Sequence, residues 1–108
     1  MNTIVKKSLI HGLGVFANRN INPGKVIENC RLILIPRSQD RHVKHTIVTK
    51  YAFEFGKDSA ICLGNGSLYN HSIHPNADIV ARERSISFVA NKNIMIGEEI
   101  FINYEYEL

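Results

Sequence analysis

Turn-forming residues cut this chain into short pieces, and no piece between them carries a long helical repeat of apolar residues. Asn22-Pro23-Gly24 puts proline and glycine where a type II turn needs them, since proline holds φ negative and glycine accepts the positive φ that follows. His11-Gly12-Leu13-Gly14 and Gly64-Asn65-Gly66 are further glycine-relieved turns. Between them lie apolar or alternating runs: Ile4 to Lys7, Val15 to Ala17, Val26 to Ile35 (stopped by Pro36), Tyr51 to Phe55, Ile61 to Leu63, Ala77 to Ala81, Ser85 to Ala90 and Glu99 to Tyr104. Short apolar or period-two runs bounded by Gly, Pro, Asn and Ser are strand signals. Arg37 to Lys50 is polar and basic with scattered Val43, Ile47 and Val48, and reads either as one short helix, weakly capped by Ser38, or as a loop. The expectation is a mainly β chain with little helix. With 108 residues, 44% of them hydrophobic, it is sized for one domain over residues 1–108 with one modest core.

The sequence also resembles itself. Ala17 to Ile27 aligns with Ala90 to Ile100, identical at six of eleven positions, with Arg19 matched by Lys92. Each copy follows one apolar strand and precedes another. Two copies are too few for a solenoid, so the reading is two strand–turn–strand units related by a local pseudo-two-fold, against chance similarity.

Charge is divided along the chain. Residues 1–57 hold ten Lys/Arg against three Asp/Glu, and residues 58–108 hold three against seven, with Glu98, Glu99, Glu105 and Glu107 near the end. A basic half suits an anionic partner, and an acidic rim suits a lysine-rich peptide; solvated faces that merely segregate are the plainer reading. Nucleic-acid binding through the basic half lacks the interleaved aromatic and basic residues of a stacking groove. No apolar run approaches the length of a membrane span, and the first residues lack the apolar core of a signal peptide. The expected location is the cytoplasm, or a host cell into which the protein is secreted. Cys30 and Cys62 stand singly within apolar runs and read as buried reduced thiols, with a disulfide or a metal as alternatives.

One stretch fits neither strand nor helix. Asn70-His71-Ser72-Ile73-His74-Pro75-Asn76 crowds two amides, two imidazoles and a hydroxyl into a proline-closed segment, just after the run Ala60 to Tyr69. Asn and Ser bond their own backbone and favour turns, so the segment is either a self-satisfied turn or a ligand site. A zinc pair of His71 and His74 finds no further ligands at suitable spacing.

With these pieces in place the chain resembles a SET domain, the fold of many protein-lysine methyltransferases that use S-adenosylmethionine. His11-Gly12-Leu13-Gly14-Val15-Phe16-Ala17 is similar to the family's opening GxG motif, and Asn70 to Asn76 to its NHSxxPN motif. Gly97-Glu98-Glu99-Ile100-Phe101-Ile102-Asn103-Tyr104 is similar to its GEEL-plus-tyrosine motif. Ile73 stands where the family commonly has cysteine, and no cysteine-rich tail follows Tyr104, so no metal is expected. The likeness is greatest to the minimal standalone SET proteins of viruses and bacteria.

The resemblance implies a β-clip-like fold of several short sheets with a C-terminal pseudoknot. It implies methyl transfer from S-adenosylmethionine to lysine in a basic protein segment such as a histone tail, an activity of the EC 2.1.1 class. Tyr104 is then the catalytic candidate. His11, Gly12, Leu13, Gly14, Asn70, His71 and Tyr104 would hold the cofactor, while Tyr51, Phe53 and Tyr106 would wall the lysine channel; Tyr69 is read instead as core beneath the motif. A homodimer, each subunit helping to close the other's site, is also implied. The alternative is a SET-like β module without activity that binds basic peptides or assembles with a partner.

Overall fold

The computed structural model describes residues 2–104. Tyr106, one of the channel candidates, lies outside them.

The internal repeat is visible as a pair of interlocked turns. Ile21 and Ile94 form an antiparallel bridge, exchanging N–H···O bonds of 2.7 and 2.9 Å. On one side Gly24 N–H donates to Ala90 O at 2.7 Å, and on the other Gly97 N–H donates to Ala17 O at 2.9 Å. Ala17, Ile21 and Gly24 thus meet the repeat partners of one another, as a local two-fold requires. Both turns close with an i to i+3 bond, Lys25 N–H to Asn22 O and Glu98 N–H to Met95 O, and both place a glycine at positive φ, +85° at Gly24 and +90° at Gly97. Those values are strained for any residue with a Cβ, which explains why glycine recurs there in both copies.

The strands are β1 (Thr3–Lys7), β2 (Leu13–Ala17), β3 (Val26–Ile35), β4 (Ala52–Phe55), β5 (Asp58–Cys62), β6 (Asn70–His71), β7 (Ala77–Ala81), β8 (Ser85–Ala90) and β9 (Glu99–Ile102). One sheet runs β1-β2-β9-β6 and the other β4-β5-β3-β8-β7. All pairings are antiparallel except β6 with β9, where Asn70 lies beside Phe101 and His71 beside Ile102. The C-terminal strand is therefore held between β2 and the Asn70–Asn76 segment, the capture that the expected pseudoknot calls for. Asn76 fastens it: its Nδ2 donates to Glu99 O at 2.9 Å and its Oδ1 accepts from Phe101 N–H at 2.8 Å.

Burial is nearly continuous along β2 and β8 and alternates along β9. Val15, Ile86, Phe88, Ile94, Ile100 and Ile102 are fully buried. Burying one such side chain contributes roughly 1.5–3 kcal/mol, so β2, β8 and β9 supply the centre of the core. The basic segment after Pro36 is neither one helix nor a plain loop. It forms three single-turn helices, Arg37–Gln39, Asp40–Val43 and Ile47–Lys50, and none of them buries a residue. With no buried residue in any of the three, no apolar period had to be written into the sequence.

Candidate active site

Three segments far apart in sequence meet at one end of β9 because a carboxylate joins them. Glu99 Oε1 accepts from the Ser8 hydroxyl at 2.6 Å, and Oε2 accepts from Asn70 Nδ2 at 2.7 Å. The same amide nitrogen of Asn70 donates to His11 O at 3.0 Å and Leu13 O at 3.1 Å. Ser8 Oγ in turn accepts from Ile10 N–H at 3.0 Å, and Ser8 N–H donates to Gly12 O at 2.8 Å. The 8–12 loop is thereby folded against β6 and β9. Gly14 is required for this approach, since a methyl in place of its hydrogen would overlap Glu99 Oε2 and stand 3.2 Å from Asn70 Nδ2.

A cavity of about 530 Å³ opens beside this junction. His11, Gly12, Leu13, Tyr51, Asn70, His71 and Tyr104 are among the residues that line it. Gly14 is not in the wall; it packs behind it against Glu99. Phe53 departs from its expected place in the channel. It is 5% exposed, lies outside the cavity lining and supports the Tyr104 ring from behind at a centroid distance of 5.2 Å. Period two puts the neighbours of Phe53 on the outer face of β4, and Phe53 itself on the inner one. The residues that sequence reasoning missed include Lys50, Ser67 and Leu68, which line the cavity together with Ala52 and Tyr69. Their only signal was adjacency to Tyr51 and Asn70.

Tyr104 is held at both ends. Its N–H donates to His71 Nδ1 at 3.2 Å, and its hydroxyl donates to the Tyr69 carbonyl. A neutral His71 accepting at Nδ1 carries its proton on Nε2. Burial, with a smaller contribution from Cys62, pushes the Tyr104 phenol above its ordinary value of 10.0. It therefore stays protonated at neutral pH.

Among the described residues, two of the acids near the end of the chain bond within the fold. Glu99 turns its carboxylate inward to Ser8 and Asn70, and Glu98 Oε1 accepts from Met95 N–H at 2.9 Å, closing its own turn. Among the described residues no group of three or more His, Cys, Asp or Glu is arranged to hold a metal ion. Cys30 and Cys62 are free and buried side by side. Hydrogen bonding to Cys62, then burial, raise the Cys30 thiol above its ordinary 9.0, and burial first, then Glu28, raise the Tyr69 phenol above 10.0. These groups are held protonated in the fold but ionise in the unfolded chain above about pH 9–10. Their contribution to stability is thus fully present below that range and declines progressively as pH rises above it. Denaturant midpoints measured from pH 7 to 11 are expected to fall on the alkaline side from about pH 9; a flat profile would contradict the burial of these groups.

The family model of the SET domain matches residues 12–105, and the chain belongs to that family. Over 97 residues it is 29% identical to the H3 lysine-37-specific histone-lysine N-methyltransferase of Schizosaccharomyces pombe, covering 86% of this chain and 66% of that protein. Over 53 residues it is 45% identical to a putative SET domain-containing protein of Acanthamoeba polyphaga mimivirus, covering 49% of this chain and 20% of that one. The chain thus spans just under two thirds of the first relative and a fifth of the second. A crystal structure of a putative histone methyltransferase of Plasmodium falciparum superposes with a TM-score of 0.77 at 29% identity, covering 97% of this chain and 94% of that one. The Neurospora SET domain protein DIM-5 superposes at 0.75 with 20% identity, covering 96% and 52%, a likeness of fold alone. The mainly β fold and the membership read from the GxG, NHSxxPN and GEEL-plus-tyrosine motifs are both shown. No helix among the described residues is long and apolar enough to cross a membrane.

Proposed function

We propose that this chain, as a single domain over residues 1–108, is an S-adenosylmethionine-dependent protein-lysine N-methyltransferase. One observation carries the reading: His11 to Leu13, Asn70 and Tyr104, separated in sequence by tens of residues, line one cavity of about 530 Å³. That volume is within the usual range for small-molecule sites. The donor set suits the cofactor: backbone groups of His11 and Leu13 are held in place by Asn70, and the cavity lining includes the apolar Leu13 and Leu68. The relatives named as histone-lysine methyltransferases support the same substrate class, a lysine in a protein segment such as a histone tail.

When bound, the cofactor supplies an electrophilic methyl on a sulfonium. The protein's part is to align a neutral amine with it, and alignment of this kind supplies several kcal/mol of barrier reduction. The Tyr104 hydroxyl has one proton, given to Tyr69 O, so its lone pairs are free to accept from the substrate amine and hold it in line. Because this phenol stays neutral, the amine's proton leaves to solvent, helped by positive charge beside it, which lowers an amine pKa. Tyr51 would flank the lysine stem, an aromatic face suited to an ammonium, and Tyr106 is proposed to join it.

The experiment is transfer of labelled methyl from S-adenosylmethionine to lysine in histone and in total-protein substrates. Transfer establishes the reading. Cofactor binding without transfer to any protein would make the chain a binding module, and absence of binding would remove the enzyme reading. A homodimer is part of the same proposal, supported by the exposed Leu9 and Ile10 next to the cavity wall. Sedimentation at micromolar concentration should give the mass of two chains; an active monomer refutes the pair.

A further inference from the structure

The cavity wall has a buried support that the family motifs do not contain. Tyr69, just before Asn70, sends its carbonyl to the Tyr104 hydroxyl and its side chain the other way, into the core. Its ring is 2% exposed and stacks on Phe88 with centroids 4.3 Å apart, and its hydroxyl donates to Glu28 Oε1 at 2.6 Å. Glu28 reaches inward because β3 slips register between Val26 and Glu28, an irregularity that redirects the side chains beside it. Its second oxygen faces Gly64, where a methyl would stand 3.2 Å away, and has only a long 3.5 Å contact from Asn65 N–H. The bond from the Tyr69 phenol is the short one; the Cys30 thiol also lies within hydrogen-bonding reach of the carboxylate.

We propose that Glu28 and Tyr69 form a positioning pair: the buried Glu28–Tyr69 hydrogen bond fixes the Tyr69 carbonyl, which fixes the direction of the Tyr104 hydroxyl. This rests on the methyltransferase reading of Tyr104. A half-buried carboxylate is a costly way to stabilise a fold, since an apolar pair of the same volume is often as good or better. A charge-assisted hydrogen bond is about twice as strong as a neutral one and highly directional, which suits a part whose task is orientation. Tyr69 is pinned at ring face, ring tip and backbone, so its carbonyl has little room to move. Displacements of about 1 Å at a reacting group can cost on the order of a hundredfold in rate, so even a partial loosening is measurable.

The test compares Glu28→Ala, Tyr69→Phe, their double variant and Glu28→Gln, whose side-chain oxygen still accepts from the phenol. Both single variants are expected to lower kcat about tenfold, with KM for S-adenosylmethionine within about twofold of wild type. The double variant should be no slower than either single one, because both remove the same interaction. Glu28→Gln should restore most of the lost rate, and it keeps the comparison open if Glu28→Ala does not fold. A 3-fluorotyrosine at position 104 alone gives a readout that needs no turnover. Its fluorine resonance should move in Glu28→Ala and Tyr69→Phe and return toward wild type in Glu28→Gln. Wild-type kcat and an unmoved resonance in Tyr69→Phe would overturn the pair, as would losses that multiply in the double variant. If the wild-type protein transfers no methyl group, the enzyme reading falls and the fluorine resonance alone decides the coupling.

Discussion

Tyr104→Phe is expected to bind S-adenosylmethionine within about twofold of wild type and to lose about a hundredfold or more in turnover. Removing one well-placed hydrogen-bonding group from a reacting centre commonly costs a factor of 10²–10³, or about 3–4 kcal/mol of barrier. The same substitution takes a hydrogen bond from the Tyr69 carbonyl. Leaving a buried acceptor unpaired costs about 1–3 kcal/mol of stability, less than the 5–15 kcal/mol that usually holds a domain folded. The ring itself, packed on Phe53 at 5.2 Å, keeps its place. The variant should therefore remain folded, so that its rate reports on the hydroxyl. Measuring cofactor affinity by calorimetry beside the transfer rate separates three outcomes. Binding retained with turnover lost assigns the hydroxyl to the chemical step. Turnover retained would make Tyr104 an ordinary strand-end aromatic. Loss of both would make it part of the cofactor's binding surface.

What the sequence made readable was whatever depends on neighbours along the chain. Strand periods at β4 and β9 and the two glycine turns follow from local sterics, and the repeat was readable because the residues that bond across the two-fold (Ala17 to Gly97, Ile21 to Ile94, Gly24 to Ala90) are identical in the two copies. The parallel pairing of β6 with β9 joins segments about thirty residues apart and leaves no local trace. Neither does the inward turn of Glu28, which depends on a register slip in β3 that composition does not announce. Phe53 shows the limit of residue type as a guide: an aromatic beside Tyr51 reads as channel wall, but the alternation of β4 places it in the core. Glu99 is the sharper case. In sequence it belongs to a run of acids and resembles a solvated rim, whereas in space it is the one group that Ser8 and Asn70 share.

Glu99→Ala is accordingly expected to have the largest effect on the cavity as a whole. The substitution strands the Ser8 hydroxyl and takes the shortest of three acceptors from Asn70 Nδ2, and Ser8 is 8% exposed, so water replaces the lost partner there only at the expense of packing. Hydrogen bonds to a charged group contribute about 1.5–3 kcal/mol each; with Glu99 only partly buried, a total near the lower end, roughly 3 kcal/mol, is the expected loss. The functional loss should be greater than the stability loss, because Asn70 also holds His11 O and Leu13 O, and a released Asn70 frees the 8–13 loop. Cofactor binding should weaken by about a hundredfold, in contrast to Tyr104→Phe, where it survives. Glu99→Gln distinguishes charge from shape. Its single oxygen can satisfy Asn70, and its amide can donate to the Ser8 oxygen if that hydroxyl turns away, so the variant should lose roughly half as much stability. Chemical denaturation and calorimetric titration of both variants give the two numbers side by side. A Glu99→Ala protein that binds S-adenosylmethionine as tightly as wild type would show that the 8–13 loop holds its shape without the clasp. The cavity would then owe its form to Gly12 and the loop's own bonds through Ser8.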